Sequence, residues 1–89
     1  MKVSNIKNSS GKPVKNQFII EDDNGNTFFQ SYKSMIAKKT PEGEIFLDER
    51  YYNYSSTTSK YRNMFLGEDT KTIEKKIKSG EYKLANLNK

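Results

Sequence analysis

The sequence predicts an α+β domain: a mainly antiparallel sheet of four or five strands, with two short helices in the C-terminal half. Three observations predict it. Asn24-Gly25 stands between two runs rich in apolar and β-branched residues, a strong short-range signal for a β-hairpin. Thr40-Pro41-Glu42-Gly43 reads as a second turn, with Pro where a type I turn needs its φ and Gly at the fourth position. From Ser55 onward the apolar spacing becomes helical, and the two helical stripes stop at Gly67 and Gly80.

The elements follow in chain order. Residues 1–7 carry Val3 and Ile6 in a weak alternation that suits an edge strand. Asn8 to Pro13 has loop composition throughout. Val14, Asn16, Phe18 and Ile20 then share one strand face, and Lys15, Gln17, Ile19 and Glu21 the other. A type I′ turn at Asn24-Gly25 requires positive φ at both residues. The return strand runs from Thr27 to Tyr32, with Phe28 and Phe29 on opposite faces. Lys33 to Lys39 leads into the second turn and buries Met35 or Ile36; Ile45 to Leu47 leads out. Tyr51 to Tyr54 continues that strand or bends away from it.

Ser55 or Ser56 caps the first helix, whose stripe is Thr58, Tyr61, Met64 and Phe65. Asp69 caps the second, with Thr70, Ile73 and Ile77 as a narrow stripe. Lys75, Lys76 and Lys78 fall in its last turns, where cations suit the helix dipole. Glu81 to Leu87 reads as a final strand with Tyr82 and Leu84 on one side. The length of 89 residues suits a single domain over residues 1–89. Its core must be thin, so oligomerisation is one route to extra burial.

Composition excludes much chemistry. The chain has no Cys and no His, so the commonest nucleophile–base pairs and soft-metal ligand sets are missing. No catalytic, metal or cofactor-binding residue is expected. Asp22-Asp23 lies in a turn and Asp48-Glu49 at a strand end, neither in an apolar setting that would tune a catalytic acid. Asp22 to Asn26 resembles the start of a calcium loop but lacks the later acid such a loop needs. No apolar run approaches a bilayer span, so the expectation is a cytosolic protein with no membrane partner. The net charge of +5 favours polyanions or an acidic protein face. Only two arginines, the side chain best suited to phosphate and guanine, weaken a nucleic-acid reading.

Binding is therefore the expected work. The stretch from Arg50 to Asn63 holds both arginines, Tyr51, Tyr52, Tyr54 and Tyr61, and five consecutive hydroxyl residues. Rings, guanidinium groups and hydroxyls at a helix start are what interface and anion sites use. The structural alternative makes Tyr52 and Tyr61, with Tyr54 as a third candidate, core and the Ser/Thr run a turn and cap. Alternation still turns one of Tyr51 and Tyr52 outward. Lys71, Lys75, Lys76, Lys78 and Lys83 form a second basic patch or simply a solvated face. The candidate contact residues are Arg50, Tyr51, Tyr54, Lys60, Arg62, Lys71, Lys75 and Lys76.

Several strings resemble a family of short proteins encoded by tailed bacteriophages. They are Asn16 to Ile20, Phe29 to Tyr32, Thr57 to Glu68 and Lys75 to Tyr82. The resemblance brings no known active site. It implies a small accessory protein, similar in size and build to anti-CRISPR proteins, that acts inside an infected cell by stoichiometric binding to a host factor. The expected partner is a host protein or ribonucleoprotein complex. The alternative is a nucleic-acid-binding accessory protein without a protein target. A small-molecule sponge is a third reading and needs an oligomeric pocket.

Overall fold

The computed structural model describes residues 1–88. Five strands form a meander: β1 (Lys2–Lys7), β2 (Pro13–Glu21), β3 (Thr27–Ser31), β4 (Ser34–Lys39) and β5 (Ile45–Asp48). Two helices follow, α1 (Ser56–Leu66) and α2 (Thr70–Ser79), and then strand β6 (Tyr82–Ala85). The sheet order is β1-β2-β3-β4-β5-β6, antiparallel up to β5 and parallel between β5 and β6. The architecture is thus α+β with six strands in a mixed sheet, rather than four or five. The physical reason is the pair of helices. A hairpin reverses the chain, but a helical crossover returns it in the same direction, so β6 lies parallel to β5.

The helix ends follow their capping residues. Ser55 accepts from the Thr58 N–H, Asp69 accepts from the Thr72 N–H, and Gly67 and Gly80 end the helices in left-handed conformations. The helices cover one face of the sheet. Phe29, Ile36, Ala37 and Leu47 meet Ile73 and Tyr82 in the buried core. Phe65 of α1 stacks on Phe29 with ring centroids 5.9 Å apart.

Two of three turns correct the sequence reading. At the first hairpin only Gly25 has positive φ, at +86°, and Asn24 does not. The loop is one residue longer than a type I′ turn allows. The Asp22 N–H bonds the Asn26 carbonyl at 3.0 Å, and Asp22 Oδ1 accepts from the N–H groups of Asn24 and Asn26. The aspartate thus closes the loop with its own side chain, and glycine takes the single left-handed position. The second hairpin repeats the design: Thr40 bonds Glu44, Thr40 Oγ1 accepts from the Glu44 N–H, and Gly43 is left-handed. Between them lies a turn that carries no Gly, Asn or Pro. Ser31 pairs with Ser34 across Tyr32 and Lys33, with Tyr32 left-handed at φ +55°.

Two irregularities shape the faces. Phe29 pairs with Ala37 but Gln30 with Met35, leaving Ile36 as an extra residue. This bulge lets consecutive Ile36 and Ala37 both be buried, where strict alternation predicts one. In β2, Asn5 of β1 stands opposite Phe18 but Lys7 opposite Pro13. The interruption holds Asn16, left-handed at φ +65°. Tyr51 to Tyr54 neither continues β5 nor forms a strand; residues 49–54 are turns. Asp48 causes this break, because its carboxylate accepts from the backbone N–H groups of Arg50 and Tyr51.

Candidate functional site

A cleft of about 660 Å³ opens where the Tyr32 turn meets the approach to α1. Its aromatic wall is Phe18, Tyr32, Tyr51 and Tyr54. Ser31, Ser34, Ser55 and Thr58 supply hydroxyls, and Lys33 supplies the one lining charge. Tyr51 and Tyr54 meet edge to face at 5.6 Å. Tyr54 is 71% exposed and Tyr32 58%, so both rings stand at the rim.

Local chemistry explains how the wall is held. The Asp48 carboxylate, 1% exposed, grips the turn that carries Tyr51 and also accepts from the Leu87 N–H at 2.9 Å. Burial pushes its pKa up, but the bonds from Leu87, Tyr51, Asn88 and Arg50 outweigh burial and hold it below 3.8. Ser55 caps α1, and its hydroxyl donates to Thr58 Oγ1 at 3.1 Å. Thr58 Oγ1 lies 3.1 Å from Ser31 Oγ, which ties the helix start to β3. These hydroxyls therefore bond one another, and no carboxylate lines the cleft.

The floor carries unusual conformational cost. Asn16 and Tyr32 are the two non-glycine residues with positive φ among the described residues, and both line the cleft. They are joined by a bond from the Tyr32 N–H to the Asn16 carbonyl at 2.7 Å. A bulky residue such as Tyr is strained there. Between Asn16 and Phe18 sits Gln17, 1% exposed, whose Oε1 is buried with no hydrogen-bond partner among the described residues. An unpaired buried acceptor also costs stability. Two such conformations at one cleft mark a place where packing is subordinate to something else.

The eight sequence-derived contact residues do not form one surface. Tyr51 and Tyr54 line the cleft. Arg50 is exposed beside it and lines a small polar cavity with Asp48, Glu49 and Asn86. Lys60 is exposed on α1, its Nζ 5.3 Å from the Tyr61 ring. Lys71 and Lys75 are exposed on α2, which lends no residue to the cleft.

Two of the eight are corrected. Arg62 is not a contact residue: it is 0% exposed. Its guanidinium donates to the Tyr52 carbonyl at 2.7 Å, to Thr70 Oγ1 at 3.1 Å and to Asn63 Oδ1 at 2.8 Å. It thereby ties α1 to the preceding turn and to the start of α2. Burial lowers its pKa, opposed by the charge of Glu74 nearby. Lys76 is likewise turned inward. It is ion-paired with Glu68, lies 3.6 Å from Glu81, and sits over the Tyr82 ring. Glu68 also accepts from the Tyr82 hydroxyl, so this cluster locks the α1–α2 link onto β6. The hydrogen bond to Glu68 holds the Lys76 pKa well above its usual value.

Sequence reasoning missed Tyr32, Asn16, Ser31 and Ser34 as cleft residues. No turn signal marks Tyr32-Lys33, and only the pairing of β3 with β4 reveals it. Among the described residues no cluster of acids could hold a metal ion, and no helix is long and apolar enough to cross a membrane.

Fold and site together define a small α+β domain with an aromatic, hydroxyl-rimmed cleft at one end of a mixed sheet. The chain belongs to DUF8033, a family of unknown function whose model matches residues 1–81. No curated protein and no solved structure matches it.

Proposed function

We propose that the protein is a non-enzymatic binding protein that captures a protruding segment of a partner protein in the Tyr32–Tyr51–Tyr54 cleft. The observation that carries the reading is the lining itself. Tyrosines offer large, stiff, amphipathic contact area at low entropic cost, and Ser, Thr and Asn offer adaptable hydrogen bonds. The strained Asn16 and Tyr32 support a cleft kept for recognition at some cost in stability. A cleft with one lysine and no carboxylate suits a neutral or acidic segment.

The resemblance to bacteriophage accessory proteins supports a host complex as the partner. Inhibition of a defence assembly such as a CRISPR effector is the concrete form of that proposal, with the host cytoplasm as the place. The test is affinity capture of the tagged protein from infected cells, with and without nuclease. A protein partner retained after nuclease is expected. Tyr51→Ala and Tyr54→Ala should each weaken it by about 2 kcal/mol, as aromatic anchors do. Recovery of nucleic acid alone, or undiminished capture by both variants, would reject the reading.

A further inference from the structure

The face of the sheet opposite the helices carries a row that crosses all six strands. Backbone pairing sets Val3 beside Ile20, Ile20 beside Phe28, Phe28 beside Lys38, Lys38 beside Phe46, and Phe46 beside Lys83. Directly paired residues share a face, so all six side chains point the same way. Phe29 and Leu47, one position along from Phe28 and Phe46, are in the core, so this row faces away from both helices. Every strand already lies in the sheet and both helices pack on the far side. Among the described residues no element is left to cover the row.

The last four residues, on β3 to β6, alternate ring and cation. Lys38 Nζ sits 5.8 Å from the Phe28 ring centre and 5.7 Å from that of Phe46; Lys83 Nζ sits 6.0 Å from Phe46. Lys38 makes no ion pair among the described residues, and Lys83 lies 3.5 Å from Glu44, both about half exposed. Asp22, in the β2–β3 loop and within electrostatic reach of Lys38, spends its carboxylate's hydrogen bonds on its own turn. Strands lie about 4.8 Å apart, so Phe28 and Phe46 are roughly 10 Å apart with an unpaired ammonium between them.

We propose that this face binds single-stranded nucleic acid, with bases stacked on Phe28 and Phe46 and backbone phosphates at Lys38 and Lys83. Ring and cation alternating across a sheet match the alternation of base and phosphate along an unpaired strand. A duplex hides the π-faces of its bases and does not fit. A second copy of this chain fits poorly, because face-to-face packing sets Lys38 and Lys83 of one copy against those of the other. The inference goes beyond the cleft reading and uses none of the cleft's tyrosines.

The test is fluorescence anisotropy with a labelled oligothymidylate, the matching oligouridylate and a duplex of equal length, over a salt series. Single strands should bind more tightly than duplex. Phe28→Ala and Phe46→Ala should each weaken binding about 5- to 150-fold. Lys38→Gln should reduce the slope of log affinity against log salt by roughly 0.7. Because the Phe variants remove partly buried rings, amide-shift mapping on the wild-type chain provides a second readout. Shifts should centre on Phe28, Lys38, Phe46 and Lys83 and spare Tyr51 and Tyr54. Absence of binding at low salt, equal binding of duplex, or shifts centred on the cleft would overturn the proposal. So would a concentration-dependent dimer, seen by sedimentation, whose interface shifts map to the row. Loss of protein capture by Tyr51→Ala with oligonucleotide binding intact separates this inference from the cleft reading.

Discussion

Replacing Arg62 with Ala tests the assignment of that side chain to the fold rather than to a partner. The guanidinium is fully buried and donates four hydrogen bonds, at 2.7 Å to the Tyr52 carbonyl, 3.1 Å to Thr70 Oγ1, and 2.8 and 3.2 Å to Asn63 Oδ1. Its charge is opposed by no ion pair; Glu74 acts from a distance and accepts from the Tyr52 hydroxyl at 3.2 Å. Truncation leaves the Tyr52 carbonyl without its donor and opens a hole between α1 and α2. Relief of the buried charge offsets part of the loss, so the net cost is about 3 kcal/mol, at the low end for breaking a buried charged network. A chain of 89 residues has only about 4–13 kcal/mol of stability in total. The midpoint should therefore fall by roughly 12–24 °C. Urea unfolding followed by far-ultraviolet circular dichroism measures this directly. Arg62→Lys should lie between the two, because it keeps the charge and loses the planar fork. An alanine variant within about 1 kcal/mol of the wild type that nevertheless loses its partner would refute the reasoning and return Arg62 to the contact surface.

Gly25→Val should cost about 1–2 kcal/mol in the same assay, since the residue sits at φ +86° and its Cβ would meet Pro41 Cβ at 3.3 Å; an unchanged midpoint would remove the first-turn argument. Acid should destabilise the fold in a defined direction. Asp48 and Glu68 both titrate below their ordinary values, so their contribution is fully present above the unfolded pKa and is lost as pH falls through the folded one. Asp48→Asn should flatten the stability profile below about pH 4, where the wild type declines. Lys71→Glu with Lys75→Glu should leave partner capture by the cleft unchanged, because α2 packs on β6 and lends no residue to the cleft; strong loss of capture would restore the helix patch as the contact face.

Much of this protein was legible without coordinates because it depends on local chemistry. Ser55, Asp69, Gly67 and Gly80 bound the helices through hydrogen bonds and backbone freedom that involve only their near neighbours. Thr40-Pro41-Glu42-Gly43 makes its turn for the same reason, with the Gly43 N–H bonded to the Thr40 carbonyl at 3.0 Å. Tyr51 and Tyr54 stand out as candidates because their stretch also holds both arginines and five consecutive hydroxyl residues, and both line the cleft. What depended on distant partners was not legible. Nothing near Arg62 in the chain reveals that Tyr52 and Thr70 close around it, and nothing near Lys76 reveals Glu68 and Tyr82. Charge alone made both look like surface. Only strand pairing brings Tyr32 to the cleft and lines up Phe28, Lys38, Phe46 and Lys83, because register between strands is set by contacts far apart in sequence. The chain thus specifies its helix caps and the Thr40–Gly43 turn residue by residue, while its two candidate binding surfaces exist only once six strands have found their neighbours.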